Sequence, residues 1–197
     1  MITAINILIQ EHHVIISMLT CLERLIEQAE LTKKLDEEYA NHMITFFREF
    51  ADACHHGKEE DVLFLFSDEK TGGTGPVVIL KEEHAEGRIY VKGLIHNVSQ
   101  AAAGNQEAIA LFGQNGRDMI DMLRRHIKRE DEVVFPMIEE LSNSGDAQRL
   151  WQDFVSVEKD AGGDRHRRFI SLTRLCCTHF NVPFLETKIP DLFQSFA

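Results

Sequence analysis

The sequence predicts an all-α protein, an up-down-up-down four-helix bundle with extra C-terminal helices. Three observations carry this. Apolar residues recur at helical period along four long stretches. Short connections separate them: Leu31 to Lys34, then two that hold Gly with Pro or Asn. No segment alternates apolar and polar residues over a useful length, so no strand is expected. Long helices joined by short loops bury their stripes by packing antiparallel. The bundle is expected over residues 1–142, and residues 143–197 are expected to form a helical extension packed on it.

The first helix spans about residues 3–30. Its stripe is Ile5, Leu8, Ile9, His12, Ile15, Ile16, Leu19, Leu22 and Ile26, with Thr3 as N-cap. His12 falls inside the stripe, and His13 turns away by about 100°. The second helix covers residues 35–66, with Tyr39, Met43, Phe46, Phe47, Phe50, Cys54, Val62 and Phe66 on its apolar side. His55 and Glu59 continue the row from Phe47 and Ala51. Gly72, Gly73 and Gly75 end this helix, and Pro76 suits the first turn of the next.

The third helix, residues 76–103, carries Val77, Leu80, His84, Gly87, Val91, Leu94 and Val98 on one face. Gly87 leaves room for close helix approach. The fourth, residues 106–141, has Ile109, Phe112, Met119, Leu123, His126, Glu130, Val133 and Met137. Pro136 lacks a backbone donor and is expected to kink it. Ser142 to Gly145 stops it. Leu150, Trp151, Phe154 and Val157 suggest a fifth helix, broken at Gly162-Gly163. Phe169, Leu172, Thr173, Leu175 and Cys176 suggest a sixth. Beyond Asn181-Val182-Pro183 the tail is expected to lie irregularly on the surface.

Composition narrows the function. The net charge of −11 argues against nucleic acid, which needs a basic face. No run of about 18 or more apolar residues occurs, so no transmembrane helix and no membrane partner are expected. The N-terminus lacks a basic region and a small-residue cleavage site, so no secretory signal is expected. Cys21, Cys54, Cys176 and Cys177 form neither a C-x-x-C nor a zinc-ribbon spacing. The compartment therefore reads as reducing and cytoplasmic. A homodimer stays open.

The chemistry sits in a repeated motif. His55 and Glu59 stand four residues apart, as do His126 and Glu130, so each pair shares a helix face. A lone histidine precedes each pair: His12 lies 43 residues before His55, and His84 lies 42 before His126. The chain thus reads His…His-x-x-x-Glu twice, an internal duplication. Four histidines and two glutamates on inward stripes would be costly to bury without a partner. Metal coordination explains all six. Imidazole and carboxylate suit iron, manganese, zinc or copper. Two His and one Glu per half form the triad associated with non-haem iron, and two facing halves imply a dinuclear centre.

Other residues receive plainer readings. His56, one residue past His55, is expected off the ligand face, within reach of a further ligand position. Glu60 and Glu132 read as solvated charges, Arg88 as the partner of a carboxylate, and Cys54 as core. Adjacent cysteines would form a strained bridge, so Cys176 and Cys177 read as buried free thiols. Glu158 is a candidate to cap or ligate the centre, against the alternative of a surface carboxylate.

At these residues the chain resembles the bacterial type of the hemerythrin-like cation-binding (HHE) family. The segments are Glu11-His12, Cys54 to Phe64, Glu83 to Arg88, and His126 to Glu130 ending in Val134-Phe135-Pro136. The resemblance implies a non-haem di-iron centre bridged by oxo or hydroxo, with His12, His55 and Glu59 on one iron and His84, His126 and Glu130 on the other. Bridging glutamates are compatible with it, and zinc or manganese could replace iron. It further implies binding or reduction of O2, NO or peroxide, or else iron or oxygen sensing or iron storage through a partner. Invertebrate oxygen carriers of the family bind with five His, a Glu and an Asp. The four His and two Glu read here match the bacterial pattern instead.

Overall fold

A computed structural model describes residues 3–160 and 164–188. Six helices follow one another, and the described residues contain no strand. They are α1 (Thr3–Thr32), α2 (residues 37–71), α3 (Val77–Ala102), α4 (residues 106–141), α5 (Ser144–Asp160) and α6 (Arg165–Phe180). The connection between α5 and α6, with Gly162-Gly163, lies outside the described residues, as does the tail beyond residue 188.

Caps set the boundaries. Asp36 accepts a hydrogen bond from the Tyr39 N–H at 3.3 Å, so α2 begins at Glu37 rather than at Leu35. Asn105 accepts from the Ala108 N–H at 3.0 Å and starts α4. Gly72 closes α2 with φ of 71°, a left-handed conformation that glycine adopts without strain. A Cβ on Gly87 would lie 3.1 Å from the Met122 side chain, so this glycine does permit the close approach of α3 to α4.

The periodicity did not reveal that two helices change winding. Helix α2 is α-helical over Glu37–Phe46, π-helical over Phe47–His56 and again over Glu59–Leu63, and α-helical over Phe64–Thr71. Helix α4 is π-helical over Glu130–Val134. The turns Glu59–Leu63 and Glu130–Val134 begin on the glutamates of the two repeats, so the duplication extends to the backbone. Pro136 does not end α4. Its missing donor falls where the ladder returns from π to α, just after the Phe135 N–H donates to Glu130 C=O.

Two apolar clusters fill the interior. One includes Leu19, Leu22, Phe46, Phe50, Leu94, Phe112 and Met119. The other, at the opposite end, includes Leu8, Phe64, Leu80, Phe135 and Phe154. Along α1, α2 and α3 the metal-ligand candidates lie between the two, as does Glu130 on α4, so a polar layer has apolar packing on both sides. Helix α1 is long and apolar enough, by length and composition, to cross a membrane, but 67% of that window is buried within the protein. Helices α5 and α6 both pack against α1.

Candidate metal centre

Each bundle helix supplies one histidine to the polar layer, and the rings meet in pairs. His12 of α1 faces His55 of α2 with Nε2 atoms 3.1 Å apart. His84 of α3 faces His126 of α4 at the same 3.1 Å. The glutamates lie between the pairs. Glu130 places Oε2 3.2 Å from His12 Nε2 and Oε1 3.2 Å from His126 Nε2. Glu59 places Oε1 3.4 Å from His55 Nε2 and Oε2 3.5 Å from His84 Nε2. Of the two arrangements left open by the sequence, one glutamate to each half or glutamates shared between the halves, these distances favour the shared one. Both carboxylates span the two halves, because a glutamate one turn beyond its own histidine reaches the bundle axis.

This donor set fits metal ions. All six side chains are buried, yet all four oxygens of Glu59 and Glu130 lack a hydrogen-bond partner. Buried carboxylate oxygens are rarely left so. Facing Nε2 atoms at 3.1 Å cannot both donate, so lone pairs and anionic oxygens converge on the same space. The donor atoms of His12, His55, Glu59 and Glu130 lie within 4.8 Å of one another, as do those of His56, Glu59, His84 and His126.

The charges within the layer oppose one another. Burial opposes charge on His12, but the carboxylates of Asp131 and Glu130 outweigh it and raise its pKa to about 9. Burial is likewise overcome at His126 by Glu130 and Glu83, which raise it to about 9. Burial and repulsion from Glu130 push Glu59 well above the usual carboxylate range. Glu130 stays well below that range, since His126 and His12 outweigh its burial.

Every histidine of the two pairs is oriented from behind. Nδ1 of His12 bonds Asp131 at 2.8 Å, His55 bonds Glu11 at 2.8 Å, His84 bonds Glu60 at 2.7 Å and His126 bonds Glu83 at 2.9 Å. Such carboxylates fix the ring and the tautomer. Each sits one residue from a ligand candidate and crosses to a histidine on another helix, so the dipeptides Glu11-His12, Glu83-His84, Glu59-Glu60 and Glu130-Asp131 were the available signal. Glu60 is accordingly not a solvated charge, whereas Glu132 is exposed as expected. Arg88 pairs with both Glu60 and Asp52 at 2.8 Å, in keeping with its expected role.

His56 departs from the expected orientation. It is buried, and its ring stacks on that of His84, centroids 3.8 Å apart and planes 14° off parallel. The cause is the π-helical stretch Phe47–His56, whose wider winding turns each residue by less than an α-helix does and brings neighbours His55 and His56 both inward. Its counterpart in the second repeat is Ile127. The histidines around the glutamates thus number five rather than four. A cavity of about 210 Å³, lined by Phe47, Asp52, His56, Arg88, Val91 and Met119 among others, ends on His56.

Glu158 neither joins the two groups around Glu59 nor lies on the surface. It is buried and accepts from Lys58 Nζ at 2.5 Å and from Cys54 Sγ at 3.3 Å, and lies 3.0 Å from His166 Nδ1. Lys58, fully buried, also bonds Glu11, as does His166. Cys54 is therefore part of a polar cluster rather than plain core. Glu11, Cys54, Glu158 and His166 have a metal-like arrangement, but the Lys58 ammonium already stands among three of them as the cation. In the second repeat, among the described residues, Arg129 is the cation behind Glu83, at 2.5 and 2.6 Å. Among the described residues the extension thus buttresses the His12–His55 half, through Glu158 and through His166, which the sequence did not mark because it has no repeat partner.

An antiparallel helix bundle whose interior gathers buried histidines and glutamates into clusters able to hold metal ions is the class of protein that fold and site define. Residues 3–138 match the hemerythrin HHE cation binding domain, and the chain belongs to that family. Among curated proteins it is similar to an uncharacterized protein of Mycobacterium tuberculosis and to one of Mycobacterium bovis, each 25% identical over 168 residues, or 85% of this chain. The chain spans 63% of the length of those relatives. No solved structure gives a significant match.

Proposed function

We propose that the protein is a cytoplasmic non-haem di-iron protein that binds or reduces a small oxidant, O2, peroxide or NO. The observation that carries the reading is the set of four partnerless oxygens on Glu59 and Glu130, suspended between two facing histidine pairs. His12 and His55 would hold one iron, His84 and His126 the other, with both glutamates spanning them and His56 available on the His84 side. Bound iron would supply the electrons and the open coordination positions that such an oxidant requires.

The protein's own residues do the rest. Asp131, Glu11, Glu60 and Glu83 hold the imidazoles with Nε2 inward. Phe135 stacks on His12 at 5.6 Å and Phe64 on His84 at 5.7 Å, and both exclude water from the layer. The cavity that has His56 in its lining offers room for a small oxidant beside this side of the layer. Iron analysis followed by stopped-flow spectra with O2, H2O2 and NO tests the proposal. Oxidised protein is expected to show ligand-to-metal charge-transfer absorption that responds to one of these. A colourless protein carrying stoichiometric zinc after iron-supplemented expression would overturn it.

A second reading, an iron or oxygen sensing or storage module acting through a partner, is favoured by one observation: Lys58, Glu158 and His166 tie α5 and α6 to Glu11 behind His55. Turnover separates the two. Catalase, peroxidase and NO-reductase rates at the free-iron background would favour the second.

A further inference from the structure

Away from the polar layer, two cysteines distant in sequence meet. Cys21 of α1 and Cys177 of α6 have Sγ atoms 3.6 Å apart, with Cys21 placed to donate its S–H. All four cysteines are free thiols. Cys177 also lines a surface pocket of about 570 Å³ formed with Arg174, Thr178, Asn181, Val182 and Pro183. Cys21 lies behind it, fully buried.

We propose that Cys21 and Cys177 are a redox-active dithiol, oxidised by a peroxide to a disulfide that locks the C-terminal extension to α1. Cys177 is the attacking thiol. Its thiolate sulfur forms a bond to one peroxide oxygen, the O–O bond breaks, and the departing hydroxide or alkoxide takes up a proton. The Cys21 sulfur, having given up its proton, then attacks the sulfenic acid. The S–S bond forms, the S–O bond breaks, and hydroxide leaves as water with that proton. Two thiols are oxidised and one peroxide is reduced. The sulfurs need to close from 3.6 Å to about 2.0 Å.

The division of roles follows from the surroundings. Cys177 is itself buried, 3% exposed, yet the hydrogen bond from Cys21 and the Arg174 guanidinium favour its thiolate against that burial and lower its pKa. Cys21 is pushed up by sharing its proton with Cys177 and by burial. Cys176, fully buried, has its thiol pushed up to about 12, chiefly by desolvation, which keeps it a bystander. The proposal is independent of metal at the His/Glu layer.

The test is peptide mapping of the as-purified, metal-bearing protein after exposure to hydrogen peroxide and, separately, to diamide, which oxidises dithiols without peroxide chemistry. The expected result is a Cys21–Cys177 cross-linked peptide, a fall in titratable thiols under denaturing conditions from four to two, a higher Tm, and reversal of all three by dithiothreitol. In Cys21→Ser, peroxide should leave a sulfenic acid on Cys177 that dimedone captures. Cys21→Ala serves if serine disturbs α1. Four thiols surviving both oxidants, a bridge involving Cys176, or dimedone on Cys54 or Cys176 in place of Cys177 would overturn the proposal.

Discussion

The ring of His56 lies parallel to that of His84, centroids 3.8 Å apart, although the two come from different helices and His56 directly follows a ligand candidate. Both His55 and His56 are buried, and the π-helical winding of this stretch narrows the angle between them. If His56 shares the His84 half of the centre, His56→Ala should keep the bulk of the bound iron while changing the visible spectrum and the affinity for azide or NO. Optical titration of variant and parent with azide checks this. Identical spectra and affinities would place His56 outside the centre.

His126→Ala removes one imidazole of this half-site and leaves His84 beside the spanning glutamates and His56. The loss should exceed the roughly 10–100-fold in affinity typical of changes behind the ligands. His13→Ala is the contrast. His13 turns away from the layer and its Nδ1 donates to the Glu186 carbonyl at 3.1 Å, so its replacement should cost about 0.5–1.5 kcal/mol, one hydrogen bond, and no iron. Metal analysis and thermal melts of the two proteins side by side distinguish them.

Lys58 is fully buried between Glu11 and Glu158. Lys58→Ala would leave two carboxylates without their cation and should cost about 3–5 kcal/mol. His166→Ala is milder and more diagnostic. It loosens Glu11 behind His55 and should weaken iron in the His12–His55 half while sparing the other. Competition titration with a chelator should then show one weakened site of the two. Equal weakening of both, or of neither, would deny α6 a role in holding Glu11.

Metal-free protein should lose stability as pH rises from 6.5 to 9. His12 and His126 are raised to about 9 against an unfolded value near 6.5. Their contribution is fully present below about 6.5 and is lost as pH passes through the folded value. Glu59, also raised, acts in the same direction. Iron loading in this range should displace protons, so affinity should rise with pH up to about 9. Melts of the chelated protein and calorimetry in buffers of different ionisation enthalpy provide the check.

The bundle was legible in the sequence because each helix repeats its apolar residues often enough to fix one face, and His12, His55, His84 and His126 sit on those faces. The glutamates were legible as members of the layer, while their bridging stayed open, since His-x-x-x-Glu spacing reports the shared helix and not the reach of a carboxylate across the axis. His56 was legible as a possible further ligand but not as an inward-facing residue, because the winding of a helix leaves no mark in apolar periodicity. Glu158 and His166 belong to a single unrepeated extension, so no register tied them to Glu11.

The most direct measurement is metal stoichiometry, by elemental analysis of the iron-reconstituted protein beside Glu59→Ala and Glu130→Ala. Two irons per chain in the parent, with loss from both halves in either variant, are expected of carboxylates that span the two histidine pairs. No bound iron in the parent, or loss of a single iron from each variant with the other retained at parental affinity, would contradict a shared centre.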